Sequence, residues 1–206
     1  MWTYIKLSIL PLLLSVSTCF GIDHYEIHTV KKTIPLTVQT TTTIEGVLIH
    51  EKSPQHQQWF YCNKDYAVYK WIYENPSENT KLKAIKKSET IHVSGTYYGT
   101  PLEKTVKTNA MPWFQNIDYA IAQSQKKHTL PLSFLYFRPK RMSLDTMILK
   151  KNQSDKTGRN FIVTFANYKS FFWKVYYKLD QNNKMIDKHI KMSPKVSTKH
   201  IKTEGK

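Results

Sequence analysis

Residues 161–192, FIVTFANYKSFFWKVYYKLDQNNKMIDKHIKM, constrain the fold more than any other stretch of the chain. Large side chains recur at every second position in Trp173, Val175, Tyr177 and Leu179, with Lys174, Tyr176 and Lys178 between them. Successive side chains on a strand point to opposite faces, so this spacing gives one packed face and one wet face. A helix would spread the same aromatics around its circumference. Residues 180–183, DQNN, are types that bond their own backbone or accept left-handed dihedrals, and they predict a turn. Residues 185–192 resume as a returning strand. Upstream, Phe161, Val163 and Phe165 alternate with Ile162 and Thr164, and Ala166-Asn167 starts another turn. The result is an antiparallel meander with one aromatic face. Such a face needs a partner layer or a closed barrel to bury it.

The remaining sequence extends this pattern. Residues 22–30 predict a first strand. Residues 33–50 predict another, with a run of threonines over 40–43, Pro35 at an irregular start and Gly46 at a bend or bulge. Residues 51–58 read as a polar loop. Strands follow over 59–62, 67–73, 81–87, 91–98 and 102–107, with a turn cluster at 74–79 and a tight turn at Gly99-Thr100. Residues 109–115, NAMPWFQ, break the alternation. Asn116 is placed to cap a short helix over 117–126, with Asp118 in its first turn and Ile117, Ala120 and Ile121 on its buried face. Residues 130–137 predict a core strand, 142–150 another, and 151–159 a turn. Short, regular spacing of turn signals favours an all-β sheet or barrel over alternating βαβ units. The fold class is mainly β: a large curved antiparallel sheet or barrel of about eight to eleven strands, with one short helix near residues 116–127.

Length allows one substantial domain, assigned to residues 22–192. The formal net charge of +16 comes mostly from lysine and attracts polyanions without choosing among them. The lysines are scattered through strands and turns rather than gathered on one helix or motif, so no nucleic-acid partner is expected. They thicken in residues 193–206, which read as a disordered basic tail. Residues 1–21 have the build of a secretory signal peptide: Lys6, an apolar core over 7–16, then small residues. Cleavage is expected after Gly21, with Ser17 and Cys19 as alternatives. Val16-Ser17-Thr18-Cys19 also resembles a degenerate lipobox, which would anchor the protein through a lipidated Cys19, and an uncleaved anchor is a third option. The expected location is periplasmic or secreted. Loss of Cys19 leaves Cys62 without an intramolecular partner, and its neighbours Trp59, Phe60, Tyr61 and Tyr66 predict a buried, inert thiol.

Candidate chemistry is sparse. Cys62 could pair with His50, His56 or His92, but no helix start follows it to lower its pKa, and no catalytic residue is assigned. His24 and His28 lie too far apart along a strand to share a metal, and no metal or cofactor is expected. The chain has no HExxH, paired CxxC, P-loop, GxSxG or dinucleotide fingerprint. Glu45, Glu51, Asp65, Glu74, Glu89, Glu103, Asp118 and Asp145 are dispersed and read as surface charges. Asn152-Gln153-Ser154 matches a glycosylation sequon, which matters only in a eukaryotic secretory pathway. The candidate ligand-binding residues are aromatic: Trp113 and Phe114, as a lid at a barrel end or a plug seating the helix, and Trp173 and Tyr177, which either stack a ligand or fill the core.

The leader, the IHVSGTYYGTPLEKTV hairpin, MPWFQ before one helix, the LPLSFLYFRP strand and the closing FFWKVYYKLDQNNKMI hairpin follow one another in a telling order. That order resembles uncharacterised exported bacterial proteins with one large curved antiparallel sheet, a half-open or lipocalin-like barrel. The resemblance implies a fold and no catalytic residues. Three functions remain open on the sequence. The first is a non-enzymatic binder of an amphipathic or lipidic ligand in the sheet's concavity. The second is a basic protein that holds anionic lipid or polysaccharide of the envelope surface. The third is an unfamiliar secreted hydrolase.

Overall fold

The computed structural model describes residues 18–29, 32–127, 129–138, 141–153, 158–171, 173–181, 185–190 and 196–201. Fourteen antiparallel strands form one sheet among them. The first eight are β1 (Thr18–His28), β2 (Thr33–Thr42), β3 (Val47–Lys52), β4 (Gln57–Cys62), β5 (Val68–Asn75), β6 (Thr80–Lys87), β7 (Thr90–Tyr97) and β8 (Thr100–Lys107). The α-helix α1 (Ile117–Lys127) precedes β9 (Leu132–Arg138), β10 (Ser143–Lys151), β11 (Arg159–Phe165), β12 (Lys174–Leu179), β13 (Met185–Ile190) and β14 (Val196–Ile201). Every strand pairs with its sequence neighbours except β8 and β9, which are the two edges, and at one seam β14 also pairs with β1. The sheet therefore winds from edge β8 round to edge β9 with its two chain ends in the middle.

A strap, residues 109–115, bridges the two halves. Val68 donates its backbone N–H to Trp113 O at 2.9 Å. On its other side the strap meets β9: Leu135 donates to Pro112 O at 2.8 Å, and Phe114 to Leu135 O at 3.0 Å. The break in alternation at residues 109–115 is thus a bridge between β5 and β9, made without a continuous ladder. Pro112 lacks an N–H but keeps its carbonyl, which is the group used here.

The concave face is the core. Inward residues alternate strictly on β12, where Val175, Tyr177 and Leu179 are buried and Lys174, Tyr176 and Lys178 are not. The helix fills the same concavity. Ile117, Ala120 and Ile121 pack with Phe134, Met147, Phe161 and Val163, as the helical spacing predicts. Asn116 Oδ1 accepts the backbone N–H of Asp118 at 2.9 Å, which satisfies one of the unpaired donors of the first turn. A second cluster under β3–β7 gathers Ile49, Phe60, Cys62, Trp71, Ala84 and Val93 around Trp113 and Phe137.

The fourteen strands exceed the expected eight to eleven, and two of the additional strands have a clear origin. Residues 33–50 are not one strand. Thr43 donates its backbone N–H to Gly46 O at 2.8 Å and makes a hairpin turn there. A Cβ on Gly46 would collide with the Cys62 carbonyl, so this position admits only glycine. Second, the basic tail is not wholly disordered. Val196–Ile201 pairs with both β13 and β1. Its polar composition argued against order, but backbone ladders on two sides compensate where side-chain burial would not. The leader expected over residues 1–21 lies outside the described residues as far as residue 17. Thr18, Cys19 and Gly21 lie in β1, opposite Thr42, Thr41 and Thr40.

The expected loop at residues 51–58 is likewise corrected. Glu51 and Lys52 continue β3, the turn is confined to residues 53–56, and Gln57 opens β4. At the other tight turn, Tyr98 (φ 49°) and Gly99 (φ 79°) form a two-residue loop between paired Tyr97 and Thr100. Two consecutive left-handed residues suit the right-handed twist of a hairpin.

Candidate functional site

The concavity retains a partly open cavity of about 430 Å³ beside the start of α1. Strands β1 and β2 supply Asp23, Tyr25, Ile27, Leu36, Val38 and Thr40. Glu51, Gln58 and Phe60 follow from β3 and β4, and Leu179, Met185 and Lys188 face them from β12 and β13. Gln115, Asn116, Ile117 and Asp118 form the side made by the strap and the helix start. The register explains the grouping. Asp23 pairs with Val38, Val38 with Glu51, and Glu51 with Gln58, so one inward row crosses four strands. Tyr66, a bulky residue with φ 62°, also reaches the cavity. Its turn is held by Asn63 Oδ1, which accepts the N–H groups of Asp65 and Ala67, each at 3.0 Å.

A chain of polar side chains crosses the cavity's inner end. Trp71 Nε1 donates to Gln58 Oε1 at 3.2 Å, and Gln58 Nε2 donates to Glu51 Oε2 at 2.6 Å. Asn116 Nδ2 donates to the other carboxylate oxygen, Glu51 Oε1. Asn116 then caps the helix at Asp118, and Lys188 Nζ stands 3.6 Å from Asp118 Oδ1. The same ammonium lies 5.1 Å from the centre of the Tyr177 ring. Glu51 is only 7% exposed. Burial pushes its carboxyl up to about 7, and the charge of Asp118 pushes the same way, against Lys188 and the two amide donors. Burial also raises the phenols of Tyr25, Tyr136 and Tyr177.

These residues were legible only in part. Glu51 is not a surface charge but buried, Asp118 is half-buried, and both line the cavity. Glu51 continues the inward period of Val47 and Ile49, a signal that a loop assignment at residue 51 conceals. Asp145, also expected on the surface, is buried beside Arg138, whose Nη2 donates to Asp145 Oδ1 at 3.0 Å. Asn116, Asp118 and Lys188 carry no pattern that marks them as one site, since they are joined by the fold alone.

The four aromatic candidates lie elsewhere. Trp113 and Phe114 are fully buried in the strap. Trp113 Nε1 donates to Gln115 Oε1 at 3.0 Å, and Gln115 Nε2 donates to Phe137 O at 3.0 Å, which fixes the strap on β9. Trp173 is half-buried with its ring 4.8 Å from that of Phe165. Tyr177 is buried in the core. None of the four is among the residues lining the cavity.

Cys62 is buried, and burial pushes its thiol up to about 12. His50 occupies the opposite face of β3, stacked on Trp59 with ring centres 4.8 Å apart. His92 bonds Thr105 on the outer face of β7, between buried Ile91 and Val93. His56 lines the cavity, where Ser53 Oγ lies 3.1 Å from its Nδ1. The geometry does not assemble a thiolate–imidazole pair.

No protein-family model matches the sequence, and no curated protein matches it. The fold has a solved counterpart. The structure is similar to that of a beta-barrel-like protein of domain of unknown function DUF1849 from Brucella abortus, with a TM-score of 0.61. The match covers 88% of this chain and 95% of that one at 8% sequence identity. At that identity the likeness concerns the fold: a β-rich, barrel-like architecture whose sheet here remains open between β8 and β9.

Proposed function

We propose that the protein is a non-enzymatic binder that holds a small amphipathic ligand in the concavity of its sheet and acts outside the cytoplasm. One observation carries this reading: a cavity of about 430 Å³ lined both by apolar side chains and by polar and charged ones. Leu36, Val38, Phe60, Leu179 and Met185 supply the first, and Glu51, Asn116, Asp118 and Lys188 the second. The volume falls within the range of about 300–1,000 Å³ typical of small-molecule sites. The two sets of side chains favour different parts of one molecule, an apolar body and a hydrogen-bonding head. The leader-like residues 1–21 support export.

The test uses the neutral fluorophore N-phenylnaphthylamine with the full chain. Saturable binding with enhanced emission is expected, together with an amphiphile that co-purifies and is detected by native mass spectrometry. Val38→Trp places an indole in the cavity and lowers probe affinity at least about tenfold while the strand circular dichroism is kept. Probe binding unchanged in that variant overturns the reading.

A further inference from the structure

We infer that the convex face of β3–β6 is a docking surface for an anionic lipid bilayer. This goes beyond ligand binding in the concavity, because it uses the opposite side of the sheet. The register lays the face out in rows. Leu48, Tyr61, Lys70 and Ile85 stand side by side across four strands, and His50, Trp59, Ile72 and Lys83 form the next row. Their strand neighbours Ile49, Phe60, Trp71 and Ala84 are buried in the core, so both rows point outward. Every one of these outward side chains keeps contact with solvent. Tyr69, 39% exposed, adjoins the first row with its ring centre 6.4 Å from that of Tyr61. Ile44, 68% exposed, stands in the turn that joins β2 to β3. The patch has limits: it meets Thr37, Gln39 and Thr41 on β2, and His92, Ser94 and Thr96 on β7. An exposed apolar and aromatic patch rimmed by polar residues is the mark of an interaction surface.

Charge sets the sign of the partner. Within β3–β6 the carboxylates are Glu51, which faces the cavity, and Glu74, which Lys81 Nζ meets at 2.9 Å. Lys52, Lys70 and Lys83 share the outward face and have no ion-pair partner among the described residues. Ring geometry favours a bilayer over a polysaccharide or nucleic acid, which stack on open aromatic platforms. Here His50 is already stacked on Trp59 with ring centres 4.8 Å apart, and Lys70 Nζ sits 4.2 Å from the centre of the Tyr61 ring. A bilayer interface calls instead for amphipathic aromatics, aliphatic side chains and lysines that reach headgroups along apolar stems. A shallow recess of about 320 Å³, lined by Ile72, Lys81, Lys83, Ser94 and Thr96, presents such stems on this face.

Sedimentation of the full chain with lipid vesicles tests this. Binding is expected to phosphatidylcholine vesicles that carry about 30% phosphatidylglycerol, and not to pure phosphatidylcholine. The joint change Lys52→Gln, Lys70→Gln and Lys83→Gln should weaken it at least about tenfold. The same loss of charge on the other half of the sheet, Lys150→Gln, Lys174→Gln and Lys178→Gln, should weaken it less than about threefold. Ile44→Ser combined with Tyr69→Ser leaves the net charge unchanged and should weaken it at least about fivefold. Should the first lysine set fail to fold, the Ile44 and Tyr69 variant decides alone. Equal weakening by the two lysine sets, undiminished binding in the Ile44 and Tyr69 variant, or equal binding to both kinds of vesicle overturns the inference. Capture by dextran sulfate beads without vesicle binding would make a soluble polyanion the partner and overturn the bilayer. Each of these outcomes leaves the cavity reading intact, since its probe is neutral and binds without vesicles.

Discussion

Asn116 joins the helix to the sheet through Glu51: its side-chain amide donates to Glu51 Oε1, and its side-chain carbonyl accepts the N–H of Asp118. One residue thereby caps α1 and holds a buried carboxyl group. Removing it disturbs both. A lost N-cap costs about 1 kcal/mol, and a lost hydrogen bond to a buried acid roughly 1.5–3 kcal/mol. Asn116→Ala should therefore lower unfolding stability by about 2–4 kcal/mol in urea titrations. Asn116→Asp keeps the cap but sets an anion against Glu51, so it should recover little of the loss at neutral pH and more in acid. Equal recovery at both pH values would refute the role assigned to Glu51.

Glu51 itself makes stability depend on pH in an unusual sense. Its carboxyl is raised from an ordinary value of 4.5 to about 7 by burial first and Asp118 second. Between those values the folded state binds more protons than the unfolded state, so this group's contribution to stability falls as pH rises. It is fully present below about pH 4.5, lost progressively up to about 7, and constant above. The full effect is on the order of 3 kcal/mol. Glu51→Gln removes it. Denaturation at pH 5 and pH 8, each compared with wild type, should show the variant gaining at the higher pH by about 2–3 kcal/mol relative to the lower. A pH-independent difference would mean that Glu51 is solvated.

The sequence carries the fold further than it carries the site. On β12 every buried position is an aromatic or aliphatic residue at period two, and the packing obeys it. The helix was legible because Asn116, Asp118 and the spacing of Ile117, Ala120 and Ile121 are local signals that agree. Glu51 illustrates the opposite case. A charged residue after His50 invites a loop assignment, and only the partner across the ladder, Gln58, and the remote Asn116 make its burial tolerable. Such compensation arises between residues far apart in the chain and leaves no mark in any short window. The split of residues 33–50 at Thr43–Gly46 escaped for a related reason. A run of β-branched residues fits a strand, and the close approach of the Cys62 carbonyl to Gly46 is a tertiary fact.

Cys62 should behave as a core residue. It is 1% exposed, and its thiol is pushed up to about 12 by burial, so almost no thiolate exists at neutral pH. Iodoacetamide followed by peptide mapping should leave Cys62 unmodified in the native chain and modify it fully in denaturant. Cys62→Ser buries a hydroxyl against Val47, Phe60 and Trp71 and should cost about 1–3 kcal/mol. Rapid native labelling at this position would contradict the packing.

The seam at β14 gives the sharpest test of the architecture. A disordered tail can be removed with little effect on stability. Strand β14 instead pairs with β1 over Ser197–Ile201 and with β13 over Val196–Lys199. Deleting residues 196–206 exposes two unpaired strand edges at the middle of the sheet, including the strand that carries Asp23 and Tyr25 to the cavity. At about 1 kcal/mol net per lost backbone hydrogen bond, less the entropy of the freed tail, the loss should be about 3 kcal/mol or more. For a chain of this size that lowers Tm by about 6–12 °C. Deleting only residues 202–206 is the control and should change Tm by less than about 2 °C. Equal melting of both truncated chains and the full chain would show that the β13–β14–β1 seam does not form in solution.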